Sequence, residues 1–136
     1  MGPLKTAVVL LVYASLSACA SATRQQCTDH QRRGVQDTLY FGTTRPNRVV
    51  SDQEWSQFLQ STVTPRFPHG LTVFAAAGQW LGATGVPVRE STHVLQIVHP
   101  DSAANDVLMT EIIAAYESSF TQEAVLRTKV LACFSF

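Results

Sequence analysis

The chain carries little charge and few cysteines, and it lacks the short motifs that usually announce an enzyme. Only 15% of its 136 residues are charged, ten basic residues balance ten acidic ones, and there are three cysteines. A chain without net charge has no electrostatic footprint for nucleic acid, which is therefore not an expected partner. No two cysteines have metal-ligand spacing, and there is no Gly-rich phosphate loop, Gly-x-Ser-x-Gly elbow or His-Glu-x-x-His helix. No metal, no cofactor and no standard catalytic apparatus is expected on those grounds. The apolar run Thr6 to Leu16 is too short to cross a bilayer as a mature helix.

That run does fit an export signal. Met1 to Lys5 forms a short n-region with one positive charge, and Leu16-Ser17-Ala18-Cys19 resembles the bacterial lipobox, in which cleavage precedes the cysteine and its thiol is acylated. Ala20-Ser21-Ala22 is the rival, an ordinary secretory cleavage site. The lipobox reading makes 1–18 a lipoprotein signal peptide and Cys19 the lipidation site. It places the protein in the bacterial cell envelope, facing the periplasm, with the membrane as its first partner. Removing Cys19 from the count leaves Cys27 and Cys133, an even pair in an oxidising compartment, for which a disulfide is the default.

Residues 19–37 are rich in Ser, Thr, Gln, Arg and Asp without apolar periodicity and read as a tether. The folded domain is expected over 38–136, and 46% hydrophobic residues suffice for one core. Thr38 to Thr43 alternates with period two and predicts a strand. Ser51 to Glu54 is a capping box, Val50 with Trp55 fits a hydrophobic staple, and Trp55, Phe58, Leu59 and Val63 share one helical stripe. A second strand is expected over Leu71 to Trp80, with small residues at Ala75 to Gly78. A third lies in Glu90 to Ser102, where β-formers meet Pro100 and helix-capping residues. Ser102 to Phe120 predicts the second helix and Ala124 to Phe136 the last strand, completing a βαββαβ order. Right-handed crossovers make this an α+β, ferredoxin-like fold, an antiparallel four-stranded sheet in order 4-1-3-2 with two helices on one face.

Seven short motifs occur in order along this domain: Leu39-Tyr40-Phe41-Gly42, Val63-Thr64-Pro65-Arg66-Phe67-Pro68, Gly70-Leu71-Thr72-Val73, Gly78-Gln79-Trp80, His99-Pro100, Gln122-Glu123-Ala124-Val125-Leu126-Arg127 and Cys133-Phe134-Ser135-Phe136. Together they resemble the bacterial family catalogued as domain of unknown function 3574. The resemblance implies an exported small protein with no assigned activity. An acidic residue after Phe-Pro and an aromatic before Gly-Gln-Trp are frequent in that pattern, whereas this chain has His69 and Ala77.

Two candidate ligand-binding regions follow from the expected topology. Arg66, His69, His99 and Asp101 should meet at one edge of the sheet, where two imidazoles, a guanidinium and a carboxylate suit an anion, a metal or a substrate carboxylate. The bland alternative is that His99 caps the turn before the second helix, Arg66 bonds loop carbonyls and His69 is solvated. His93 reads as a satisfied sheet histidine. The other region is the open sheet face. If Leu39, Phe41, Leu126 and Val130 face the helices, then Tyr40, Arg127, Lys129, Leu131 and Gln96 with Val94 and Val98 line the far side, a surface of the kind that packs against a second copy or closes over a ligand. The expected function is a membrane-anchored binding or interaction module. The alternatives are a small enzyme of the dimeric ferredoxin-like kind, with Tyr40 or Arg127 in a pocket on the open face, and a structural envelope protein.

Overall fold

The computed structural model describes residues 26–135. Cys19, the expected signal peptide and the two candidate cleavage sites lie outside them.

Four strands and two helices alternate as β1 (Arg32–Gly42), α1 (Asp52–Phe58), β2 (Thr72–Leu81), β3 (Pro87–His99), α2 (Ala103–Phe120) and β4 (Leu126–Phe134). The sheet runs β2-β3-β1-β4 and is antiparallel throughout, the 4-1-3-2 succession read from its other edge. β1 starts six residues before Thr38, so Arg32 to Asp37 belong to the sheet and not to a tether. The cause is cross-strand pairing. Arg32 through Tyr40 are all matched to β4 and, from Val35 on, to β3 as well, and a polar segment held by such ladders needs no apolar periodicity to be ordered.

α1 begins where the capping box placed it. The Ser51 side chain accepts from the Glu54 amide while Glu54 accepts from the Ser51 amide, and Val50 and Trp55 are both buried. The Ser51 amide and hydroxyl, with Arg45 and Arg48, hold the Glu54 carboxyl below the usual carboxylate range. The helix continues into a single π-helical turn, Leu59–Val63, which carries the chain to the Pro65–Gly70 loop. α2 is capped by Ser102 and stops at Thr121, which turns into the left-handed region.

Both helices cover the face of the sheet made by odd-numbered residues. Leu39, Phe41, Leu95 and Ile97 meet Trp55, Phe58 and Val63 from the first helical segment and Met109, Ile112, Tyr116 and Phe120 from α2. Phe41 and Tyr116 sit 4.6 Å apart at the centre, and the Tyr116 hydroxyl donates to the Gly42 carbonyl, which relieves its burial. Burial raises the Tyr116 phenol well above its ordinary value.

The register overturns the expected facing of β4. Leu39 pairs with Arg127, Asp37 with Lys129 and Val35 with Leu131, so Arg127, Lys129 and Leu131 lie on the helix side. Leu126 and Val130 occupy the open face beside Tyr40, Val94, Gln96 and Val98. The hydrophobic pattern misled because β4 is an edge strand: Leu126 and Val130 remain mostly exposed, whereas the two cations find acidic partners on β1 and α2. Tyr40 and Arg127 are therefore on opposite faces and form no common pocket.

A disulfide joins Cys27 to Cys133 across 106 positions, with Cα atoms 5.4 Å apart. It ties the segment leading into β1 to the end of β4.

A cavity at one end of the sheet

The last residues of β3 and β4, the first of β1, and the loop before β2 all lie at one end of the sheet. A cavity of about 600 Å³ opens there, lined by Arg32, Arg66, His69 and His99 together with Asn105 and an apolar wall that includes Phe67, Ile97 and Phe134. Three of the four residues expected at this edge thus share one cavity. Asp101 does not line it; its carboxylate is 2.8 Å from Lys129 Nζ, because the chain turns outward after Pro100.

Each wall residue is placed by local structure. Arg66 leaves the turn after the π-helical segment and folds back, donating from Nη1 to the Thr62 carbonyl at 2.8 Å and from Nε to Glu111 at 3.1 Å. Phe67 is buried with its ring 5.1 Å from the His99 imidazole. His69 is exposed on the next turn, and Gly70 follows with a φ of 138°, a conformation that favours glycine. Arg32 lies over the Phe134 ring at 5.0 Å. Gly34 lets this end close: a Cβ there would overlap the His99 carbonyl and the Phe134 ring.

His99 is the hinge between the cavity and a buried ionic network. Its Nδ1 is 2.8 Å from the Pro100 carbonyl and its Nε2 is 2.8 Å from Asp37 Oδ2. A carbonyl only accepts, so Nδ1 carries a proton, and the Nε2 contact needs a further proton held between imidazole and carboxylate. Neither ring nitrogen is then open to a ligand. Asp37, only 1% exposed, also accepts two bonds from Arg127, at 2.7 Å to Nε and 2.9 Å to Nη2. Arg127 reaches on to Asp106, and Lys129 bonds Asp106 and Asp101. Hydrogen bonds from Arg127 and Lys129 lower the Asp106 pKa, those to Asp37 and then Asp106 raise that of Arg127, and those to Asp101 and Asp106 raise that of Lys129. Sequence reading missed Asp37. The signal was available: Asp37 shares the period-two face of Leu39 and Phe41.

Arg127 and Lys129 also border a groove of about 730 Å³ along α2, with Asp106 and Glu111. That groove is shallower, and its charged side chains are already paired, Arg127 and Lys129 with Asp106 and Glu111 with Arg66. His93, as expected, is a sheet histidine: it stacks flat on Trp55 at 4.5 Å, and burial lowers its pKa. Among the described residues no group of three or more His, Cys, Asp or Glu side chains could hold a metal ion.

Residues 36–136 match the family described as protein of unknown function, DUF3574. The chain belongs to that family. No curated protein matches it. Among solved structures, a phage SAM lyase in complex with S-methyl-5′-thioadenosine is similar with a TM-score of 0.57 at 11% identity, covering 83% of this chain and 95% of that one. The same kind of phage enzyme in its apo state aligns with a TM-score of 0.49 at 13% identity, over 76% of this chain and 90% of the other. At these identities the likeness concerns the fold of this DUF3574 member.

Proposed function

We propose that the protein is a binding module of ferredoxin-like topology, exported and held at the periplasmic side of the bacterial envelope by acylated Cys19, with a small-molecule site in the cavity at the end of the sheet. The observation that carries the binding reading is the convergence of Arg66 and His69, from the loop before β2, with His99, from the end of β3, on one cavity of about 600 Å³ with an apolar wall. The anchoring rests on the Leu16 to Cys19 motif, and the Cys27 to Cys133 disulfide suits an oxidising compartment.

Native mass spectrometry of gently extracted protein tests the site. A small molecule should accompany the wild type and be lost from Val98→Trp, which fills the cavity, provided the variant keeps its cooperative melting; wild-type protein that is empty in every preparation argues against a binding function. Cys19→Ala should move the protein from the membrane to the soluble fraction or leave it uncleaved.

A second reading, a small enzyme, draws on the fold likeness to the phage SAM lyase. In that case His69 is the group to transfer a proton, because both nitrogens of His99 are engaged. Incubation with SAM, with products followed by mass, tests this reading, and turnover unaffected by His69→Gln would remove His69 from it.

A further inference from the structure

We infer that the cavity at the end of the sheet selects a small organic acid, an anionic carboxylate carried on a flat apolar body. The inference rests on the binding reading above and adds the ligand's chemical class. Two arginines, Arg32 and Arg66, stand in the wall, no aspartate or glutamate lines it, and the carboxylate of Glu111 pairs with Arg66 from outside the lining. Such a wall attracts an anion and repels a cation, the more so where water is partly displaced. A sulfonium compound such as SAM is thereby disfavoured, although the fold resembles a protein that takes one.

The rest of the wall sets the remainder of the ligand. Phe67, Ile97, Phe134 and the two prolines Pro68 and Pro100 offer apolar surface, and the volume accommodates a ring system. The acid group belongs at the Arg66 side. Arg66 Nε is held by Glu111 and Nη1 by the Thr62 carbonyl, which fixes the guanidinium plane and leaves Nη2 outside both bonds, with the exposed His69 three residues further on. Glu111, half exposed, is then a competitor: it occupies one edge of the guanidinium that a carboxylate would use.

Calorimetric titration of the full domain with 2-naphthoate, its neutral amide 2-naphthamide, and inorganic phosphate tests the class. The acid should bind, the amide should bind roughly tenfold more weakly because its hydrogen bond to the guanidinium lacks the second charge, and phosphate should bind more weakly than the acid because it leaves the apolar wall uncovered. Arg66→Gln should weaken the acid by roughly tenfold to a hundredfold, whereas Glu111→Gln should tighten it, a gain that a merely structural Arg66 to Glu111 bridge would not give. Equal binding of acid and amide overturns the anionic class and leaves the cavity a binding site. Preference for phosphate over the acid overturns the flat apolar body. Silence across all three probes overturns the ligand class, while the copurification experiment judges the binding reading separately.

Discussion

Asp37 is the buried node of the ionic network: one carboxylate with no exposed side-chain surface faces His99 on one side and Arg127 on the other. A buried ionic group of this kind gives little net stability compared with a well-packed apolar core, but removing one member strands the rest. Asp37→Ala is therefore expected to cost roughly 3 to 5 kcal/mol, read as a fall in the denaturation midpoint at unchanged m-value. It should also release the His99 ring, visible as altered imidazole resonances, because Nε2 loses its acceptor. A loss below about 1 kcal/mol would mean that water or a neighbour takes over from the carboxylate. Of the four residues that a sequence reading placed at this edge for their obvious chemistry, Arg66, His69 and His99 line one cavity and Asp101 does not. Asp37 went unrecognised because the polar run around it looked like a linker, and what orders that run is a ladder to β3 and β4 invisible in any local window.

At the level of elements, the start of α1 was legible to the residue because its signals are local, a cap and a staple, whereas the helix expected to run on to Pro65 is α-helical only to Phe58 and π-helical over Leu59–Val63. β4 was legible as a strand but not in its orientation, since an edge strand exposes apolar and charged residues alike and only the register with β1 decides which set meets the helices. The junction of α1 with β3 carries its own pH dependence. His93 stacks on Trp55, and burial lowers its pKa from the ordinary 6.5, with Asp52 pulling weakly the other way. A base whose folded pKa lies below its unfolded one takes up a proton more readily when unfolded, so stability falls as pH drops below about 6.5 and is regained above it. Thermal melting from pH 8 to 5 should show this decline in the wild type and a shallower one in His93→Phe, which keeps an aromatic ring against Trp55. An unchanged slope would show that His93 titrates alike in both states. Asp106 adds a second loss in more acidic solution, as protonation through its lowered pKa releases Arg127 and Lys129.

For the whole molecule, the long-range tie is the Cys27 to Cys133 bond, which closes a loop of 106 positions. Cysteine parity, taken with the expected export signal, predicted the pair, and the antiparallel run of β1 beside β4 supplies the proximity. Cys133→Ser should lower stability by roughly 2 to 5 kcal/mol, measured by denaturant titration of oxidised wild type against the variant. Equal stabilities would show that the sheet alone holds the two termini of the domain.

The same bond sets an orientation. Cys27 is fixed next to Cys133, one residue from the cavity-lining Phe134, so whatever precedes Cys27 leaves the domain beside the cavity. If Cys19 bears the acyl chains, the leash between lipid and fold is eight residues, no more than about 28 Å when fully stretched. The cavity end would then look down at the bilayer from within a few nanometres, and the opposite end, with the β2–β3 hairpin tip, would point away into the periplasm.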